Sequence, residues 1–319
     1  EKKLFFKKNN FNQLLCCPSC NSDNHLSLGK LPNTYQINNT IILVDINLYE
    51  LRKCRSCSLI YKNFVTTQES EQTLQNCWKK SDGTFARWTP PNKKGLIKLK
   101  SYIELHTNNN EKEKINILDM GIGSGEFIKL FKDNYNSFGL ELNPIDSINY
   151  STILSKEIIC RDIENESIND YKDFFSIISS LDIFEHLSSP VKAIKNLNEM
   201  LKSKGILVIE TGNINSFPAK LSRFSKWWYV PILEHKIFWD EKSISTFLEK
   251  NNFKLLMVKN KIHKGGVSFN LIPLIKFYIH LISPQLFKLI LRLFKKDFIK
   301  PDYPRIPWRD HMLIIAEKI

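Results

Sequence analysis

The sequence lacks any run of 18 or more uncharged apolar residues: its most apolar stretch, Phe269 to Phe294, is interrupted by Pro273, Lys276, Pro284, Lys288 and Arg292, which excludes a membrane-spanning helix there. The first thirty positions hold no charged start followed by an apolar segment and a small-residue cleavage site, so export is not expected. Acidic residues are in deficit, 33 Asp and Glu against 46 Lys and Arg, for a formal charge of +13. That excess does not single out nucleic acid, because Lys, Asn and Ile are abundant almost everywhere along the chain. Its local part lies between Lys254 and Lys300, where ten Lys or Arg face Asp297 alone and are interleaved with Phe, Ile and Leu. Such interleaving favours a membrane surface, and no nucleic-acid partner is expected. No internal repeat is evident.

The chain also has the length, 319 residues, and the 42% hydrophobic content for one large domain and a small accessory one. Its seven cysteines include two CxxC pairs. Without an export signal these thiols are expected in the cytoplasm, where metal ligation is favoured over disulfides.

Residues 1–66 hold both CxxC pairs and short β-like runs such as Thr40 to Val44, and read as a zinc ribbon. Residues 67–110 read as a helical linker around Pro90 and Pro91. From 111 to 319 short apolar runs alternate with helical patterns. Strands are predicted at 115–120, 137–142, 157–160, 174–181, 205–210, 253–261 and 311–316. Helices are predicted near 125–135, 144–154, 189–203 and 240–252, with an insertion at 263–308. This rhythm predicts an α/β domain, a doubly wound, mostly parallel seven-stranded sheet with helices on both faces.

The central motif runs Ile115-Asn116-Ile117-Leu118-Asp119-Met120-Gly121-Ile122-Gly123-Ser124-Gly125. A buried strand ends at Asp119, three alternate glycines turn the chain without a Cβ, and a helix follows whose N–H groups face the turn. Such a turn admits a ligand against bare backbone. Glu141 ends the next strand twenty positions after Gly121, where doubly wound folds place the acid that accepts ribose hydroxyl hydrogen bonds, and Leu142 follows it. The third strand closes on Cys160-Arg161-Asp162-Ile163, so Asp162 is the candidate acceptor for an adenine amino group and Ile163 the candidate to pack on the ring.

These segments, together with Phe174 to Thr211, resemble the successive motifs of class I S-adenosylmethionine-dependent methyltransferases over about 115–212. The resemblance implies that Asp119 and the turn of Gly121, Ile122, Gly123 and Gly125 hold the methionine part of that donor. It implies Glu141 for the ribose, Asp162 for the adenine, and Leu181 and Asp182 for the methyl-bearing end. It also implies that the final strand, from His311, is antiparallel to the rest. At the N-terminus Cys17-Pro18-Ser19-Cys20 and Cys54-Arg55-Ser56-Cys57 are similar to the zinc module of bacterial methyltransferases encoded with sugar and glycan enzymes. Four thiolates close a tetrahedral zinc site, so the metal is expected to be structural. Cys16, Cys77 and Cys160 are expected to be plain thiols.

Methyl transfer from a sulfonium needs an aligned nucleophile, dry surroundings and, for some acceptors, a base. His186, after the fourth strand, and His235, in the connection after the fifth, are the candidates. The Glu234-His235 pair resembles one in sugar C-methyltransferases with the same zinc module, but Ile232 stands where those enzymes carry tyrosine. The acceptor is therefore expected to be a small molecule such as a nucleotide- or lipid-linked sugar, methylated on O, N or C. Trp227, Trp228 and Tyr229 read equally as an aromatic wall against the acceptor or as core. Residues 284–296 suit either an interfacial helix on anionic lipid, which would make the protein membrane-peripheral, or a helix packed on protein. Two rival classes are a non-catalytic scaffold built on the zinc ribbon and a nicotinamide-dependent dehydrogenase. The second requires GxGxxG, and here the third glycine arrives one residue early.

Overall fold

The computed structural model describes residues 2–78, 93–107, 114–123, 125–131, 135–143, 157–166, 168–262 and 309–319, with Ile279 and Ser283. The predicted helix at 144–154 and the basic 284–296 segment lie outside the described residues. The chain divides into two compact units. The first draws on 1–89, 213–238 and 266–310, the second on 90–212, 239–265 and 311–319.

The strands of the first unit up to residue 66 are β1 (Lys2–Lys7), β2 (Phe11–Gln13), β3 (His25–Lys30), β4 (Thr34–Ile37), β5 (Thr40–Asp45), β6 (Glu50–Cys54), β7 (Ile60–Lys62) and β8 (Phe64–Thr66). Helix α1 (Gln68–Trp78) follows. The second unit then contributes α2 (Lys93–His106), β9 (Ile115–Met120), β10 (Tyr135–Glu141), β11 (Glu157–Cys160), β12 (Phe175–Leu181), α3 (Pro190–Met200) and β13 (Leu201–Gly212). The chain enters the first unit again through α4 (Phe217–Leu221) and β14 (Ile237–Phe238), then completes the second with α5 (Glu241–Lys250), β15 (Phe253–Lys261) and β16 (His311–Lys318).

In the second unit the sheet order is β11-β10-β9-β12-β13-β16-β15. Every pairing is parallel except those of β16, which runs antiparallel to both β13 and β15. This is the predicted mixed seven-stranded sheet. Its alternation explains the layers: Ile117, Ile177, Ile206 and Val208 project to one face and meet Leu96, Leu99 and Ile103 of α2 at helical spacing. Their neighbours Leu118, Ile178, Leu207 and Ile209 are equally buried and point to the other side. Helix α3 begins with Pro190 in its first turn, which costs nothing where an N–H has no helical partner, and buries Ala193, Ile194, Leu197 and Met200. Full burial of such a side chain contributes about 1.5–3 kcal/mol.

The helix predicted near 125–135 is a correction. The chain makes a single helical turn and then a 3-10 turn at Ile128–Leu130, leaving in an extended conformation at Phe131. Phe131 lies between Phe127 and Tyr135, with ring centroids 5.0 and 4.9 Å away, and Tyr135 already opens β10.

In the first unit, β14-β7-β6-β3 form one sheet, β1-β5-β4 a second and β2-β8 a third. Their shared core gathers Phe6, Tyr35, Ile42, Tyr49 and Leu51 with Ile214, Trp227, Tyr229, Leu233 and Phe238 from the 213–238 connection. Trp227 and Tyr229 are thus core residues, and Trp228, half-buried beside them, donates its indole N–H to Asp310 Oδ2 at 3.0 Å. Among the described residues no helix is long and apolar enough to cross a membrane.

Candidate functional site

In the second unit the order of the strands reverses between β9 and β12, and in such sheets ligands settle beyond the carboxyl ends of the strands at that switch. The Gly121–Gly125 turn leaves β9 at this point. Gly121, Gly123 and Gly125 all have positive φ, 71°, 52° and 71°. Backbone bonds close the turn: Gly121 N–H donates to Leu140 O and Gly125 N–H to Ile122 O, both at 2.9 Å. A Cβ on Gly121 would lie 2.2 Å from Ile183 Cδ1. Ile122 turns its side chain inward, where a Cβ on Gly139 would lie 2.4 Å from its Cδ1. Only the backbone of Ile122 remains to face a ligand.

Asp119 sits beside the turn and is 3% exposed. The parallel register sets it opposite Ser179, whose hydroxyl donates to Asp119 Oδ1 at 2.7 Å. Burial pushes this carboxyl up to about 8, against the opposing hydrogen bond from Ser179. A cation beside such a buried carboxyl would favour its ionised form, and S-adenosylmethionine carries two positive centres, an ammonium and a sulfonium. Asp119 and the turn of Gly121, Gly123 and Gly125 therefore fit that group.

Glu141 is the last residue of β10, and its Oε1 accepts the N–H groups of Leu142 at 2.9 Å and Asn143 at 3.3 Å. Asp162 caps the bend after β11: Oδ1 accepts from Glu164 N–H at 2.8 Å and Oδ2 from the Asn165 amide at 2.9 Å. Ile163 next to it is buried. Glu141 thus ends its strand and Asp162 lies two residues beyond one, each engaged with its own loop.

Leu181 ends β12, and Asp182 follows with φ 57°, its N–H held by Glu210 O at 2.8 Å. Three further ionisable groups surround it. His311, fully buried at the start of β16, places Nε2 3.9 Å from Asp182 Oδ1. Glu210 is buried and paired with Lys261, and burial raises its carboxyl above the usual range despite that pair. No spacing in the sequence signals this group, since Asp182 follows β12 while Glu210, Lys261 and His311 belong to β13, β15 and β16. The same holds for Glu185 and Thr211, both fully buried, whose side chains share a 2.9 Å hydrogen bond. His186 is half-buried and closes the 3-10 turn Phe184–His186.

The first unit brings Cys17, Cys20, Cys54 and Cys57 together, with all four Sγ atoms within 4.8 Å of one another. The pairs Cys17–Cys57 and Cys20–Cys54 stand at 3.5 Å, and all are free thiols. A tetrahedral zinc with bonds of about 2.3 Å spaces its sulfurs about 3.8 Å apart, so the cluster fits one ion. Cys16, Cys77 and Cys160 form no disulfide among the described residues and lie outside the cluster.

Glu234 and His235 also belong to the first unit. His235 is 6% exposed, its ring lies 4.1 Å from that of Tyr229, and its Nδ1 is 2.9 Å from Tyr229 O. A carbonyl only accepts, so Nδ1 carries the proton and Nε2 is the basic atom. Glu234 accepts the indole N–H of Trp78.

A doubly wound sheet in the order 3-2-1-4-5-7-6, counted along the chain, with a glycine turn at its switch, defines the α/β class of the second unit. Within it, this chain belongs to the methyltransferase-domain family, whose model matches residues 96–258, just over half of the sequence. Among solved structures it is similar to an S-adenosylmethionine-dependent methyltransferase of Archaeoglobus fulgidus, with 19% identity, 71% of this chain and 94% of the other covered, and a TM-score of 0.44. It is also similar to one from Methanosarcina mazei, with 15% identity, 68% and 97% covered, and a TM-score of 0.46. No curated protein matches the sequence.

Proposed function

We propose that this chain is an S-adenosylmethionine-dependent methyltransferase that moves a methyl group to an O, N or C atom of a small molecule, a sugar or glycan precursor. The observation that carries the donor reading is buried Asp119 beside the turn of Gly121, Gly123 and Gly125, a carboxyl and a cradle suited to a cationic amino acid. In this reading Asp119, Gly121, Gly123, Gly125 and the backbone of Ile122 hold the methionine part. Glu141 and Leu142 take the ribose, Asp162 and Ile163 the adenine, and Leu181 and Asp182 line the methyl-bearing end. When bound, the donor supplies an electrophilic methyl on its sulfonium.

What remains for the chain is to align the acceptor, exclude water and, where the acceptor must lose a proton, take it up. His235, with Glu234 next to it, is the first candidate base, since Tyr229 O fixes its proton on Nδ1. His186 is the second. Cys17, Cys20, Cys54 and Cys57 hold a zinc whose four positions are filled by sulfur, so the ion serves the fold.

Calorimetry with S-adenosylmethionine and, in parallel, with NADH tests the donor. Heat with the first alone is expected, and its loss in Asp119→Ala; heat with NADH alone would overturn the reading. Radiolabelled methyl transfer onto extracts separated into lipid, sugar-nucleotide and macromolecular fractions then finds the acceptor. Full turnover by His235→Gln and by His186→Gln would remove both bases.

A further inference from the structure

Lys62 ends β7, five residues beyond Cys57, and its side chain is fully buried. Its Nζ donates to Ile232 O at 2.7 Å and reaches Leu233 O at 3.5 Å, over the Phe238 ring at 5.9 Å. The same Ile232 carbonyl accepts the backbone N–H of His235 at 3.1 Å. One carbonyl therefore closes the turn that carries Glu234 and His235 and is itself gripped by Lys62. Around it, Lys62 N–H donates to Lys236 O at 2.9 Å, and β14 pairs with β7 through Ile237 opposite Tyr61 and Phe238 opposite Ile60. Lys236 pairs with Glu71 and Glu234 with Trp78. A buried amine earns its desolvation only through such acceptors. Burial brings its ammonium down to about 7, against the attraction of Glu234, and charged or neutral it remains a donor.

We propose that Lys62 is the positioning residue of the Glu234–His235 turn, and that through it the four-cysteine site governs the geometry of His235. The route is short. Cys54 ends β6, Cys54 N–H is held by Leu59 O at 2.9 Å, and the hairpin formed by β6 and β7 delivers Lys62 to Ile232 O. Loss of the ion frees Cys54 and Cys57, loosens that hairpin and releases the turn. The proposal deepens the reading of His235 as acceptor base and rests on it.

The test uses the full chain and needs no acceptor. In wild type, nitrogen NMR of the imidazoles is expected to show His235 protonated on Nδ1, with its backbone N–H protected from exchange. Lys62→Met should raise that exchange at least about tenfold and mix the tautomers, while affinity for S-adenosylmethionine stays within about twofold. Stripping wild type with a chelator should reproduce both changes, and zinc ions alone, added back, should reverse them. A folded Lys62→Met protein with unaltered His235 exchange and tautomer overturns the positioning role; if that variant does not fold, unaltered signals in stripped wild type do so. The two readings fail separately. Full methyl transfer by His235→Gln would dismiss the base and leave the Lys62 result standing.

Discussion

The turn at Gly121–Gly125 is held by its own backbone and that of Leu140, whereas the turn at Ile232–His235 is held by a side chain 170 residues away in sequence. The first is shaped by what it lacks, since Gly121, Gly123 and Gly125 carry no Cβ and the Ile122 side chain turns inward. The second works by what is brought to it, Lys62, Trp78 and Glu71 from the N-terminal segment. A backbone turn stands on local chemistry; an assembled turn stands on the integrity of a whole small unit.

The contrast predicts its largest effect at the cysteines. Cys54→Ser removes one of four zinc ligands, and apparent binding energies for structural zinc are on the order of 10 kcal/mol. Zinc content by mass spectrometry should fall to near zero, and the first unit should lose its cooperative melting transition. Retention of that transition would show that the apolar core of Phe6, Tyr49 and Trp227 suffices without the ion.

Next comes Gly121→Ala. The new methyl meets Ile183 Cδ1 at 2.2 Å, and φ there is 71°. Strain and overpacking together should cost about 2–5 kcal/mol in urea unfolding. Adding Ile183→Ala should return part of the overpacking and none of the backbone strain. Complete recovery in the double variant would show that the glycine serves packing and not the turn.

The same contrast decides what was legible in the sequence. Asp119, the three glycines, Glu141 and Asp162 are adjacent to strand ends, so spacing along the chain carries their placement, and the seven strands followed from apolar runs. Ser179 was not legible beside Asp119, because only the parallel register of β9 and β12 joins them. Nor was Lys62: a lysine in the pattern Ile60-Tyr61-Lys62-Asn63 looks solvated, and only β14 laid along β7 buries it. The helix near 125–135 was misread because Phe127, Phe131 and Tyr135, four residues apart, imitate a helical period although Tyr135 already opens β10.

Asp119 gives a pH test of intermediate size. Its folded pKa, pushed up to about 8, lies above the unfolded value of about 3.9, so the native state keeps a proton that the unfolded chain releases. The stabilisation it contributes is full below about pH 4 and is lost as pH rises toward about 8. Asp119→Asn should flatten that part of the stability profile in urea unfolding. Binding of a cationic donor favours the carboxylate, so below about pH 8 calorimetry in buffers of different ionisation heat should register proton release. No release, with donor binding intact, would place the donor's positive groups away from Asp119.

The smallest effect sharpens the contrast from the other side. Lys129 pairs with Glu126 at 2.8 Å just after the glycine turn, and both side chains are nearly half exposed, 47% and 42%. In water such a pair contributes about 0–0.5 kcal/mol, screened further by salt. Lys129→Ala should leave unfolding and donor affinity within that range at any ionic strength. A loss above about 1 kcal/mol would exceed what an exposed pair supplies and would mean that this turn, too, leans on side chains.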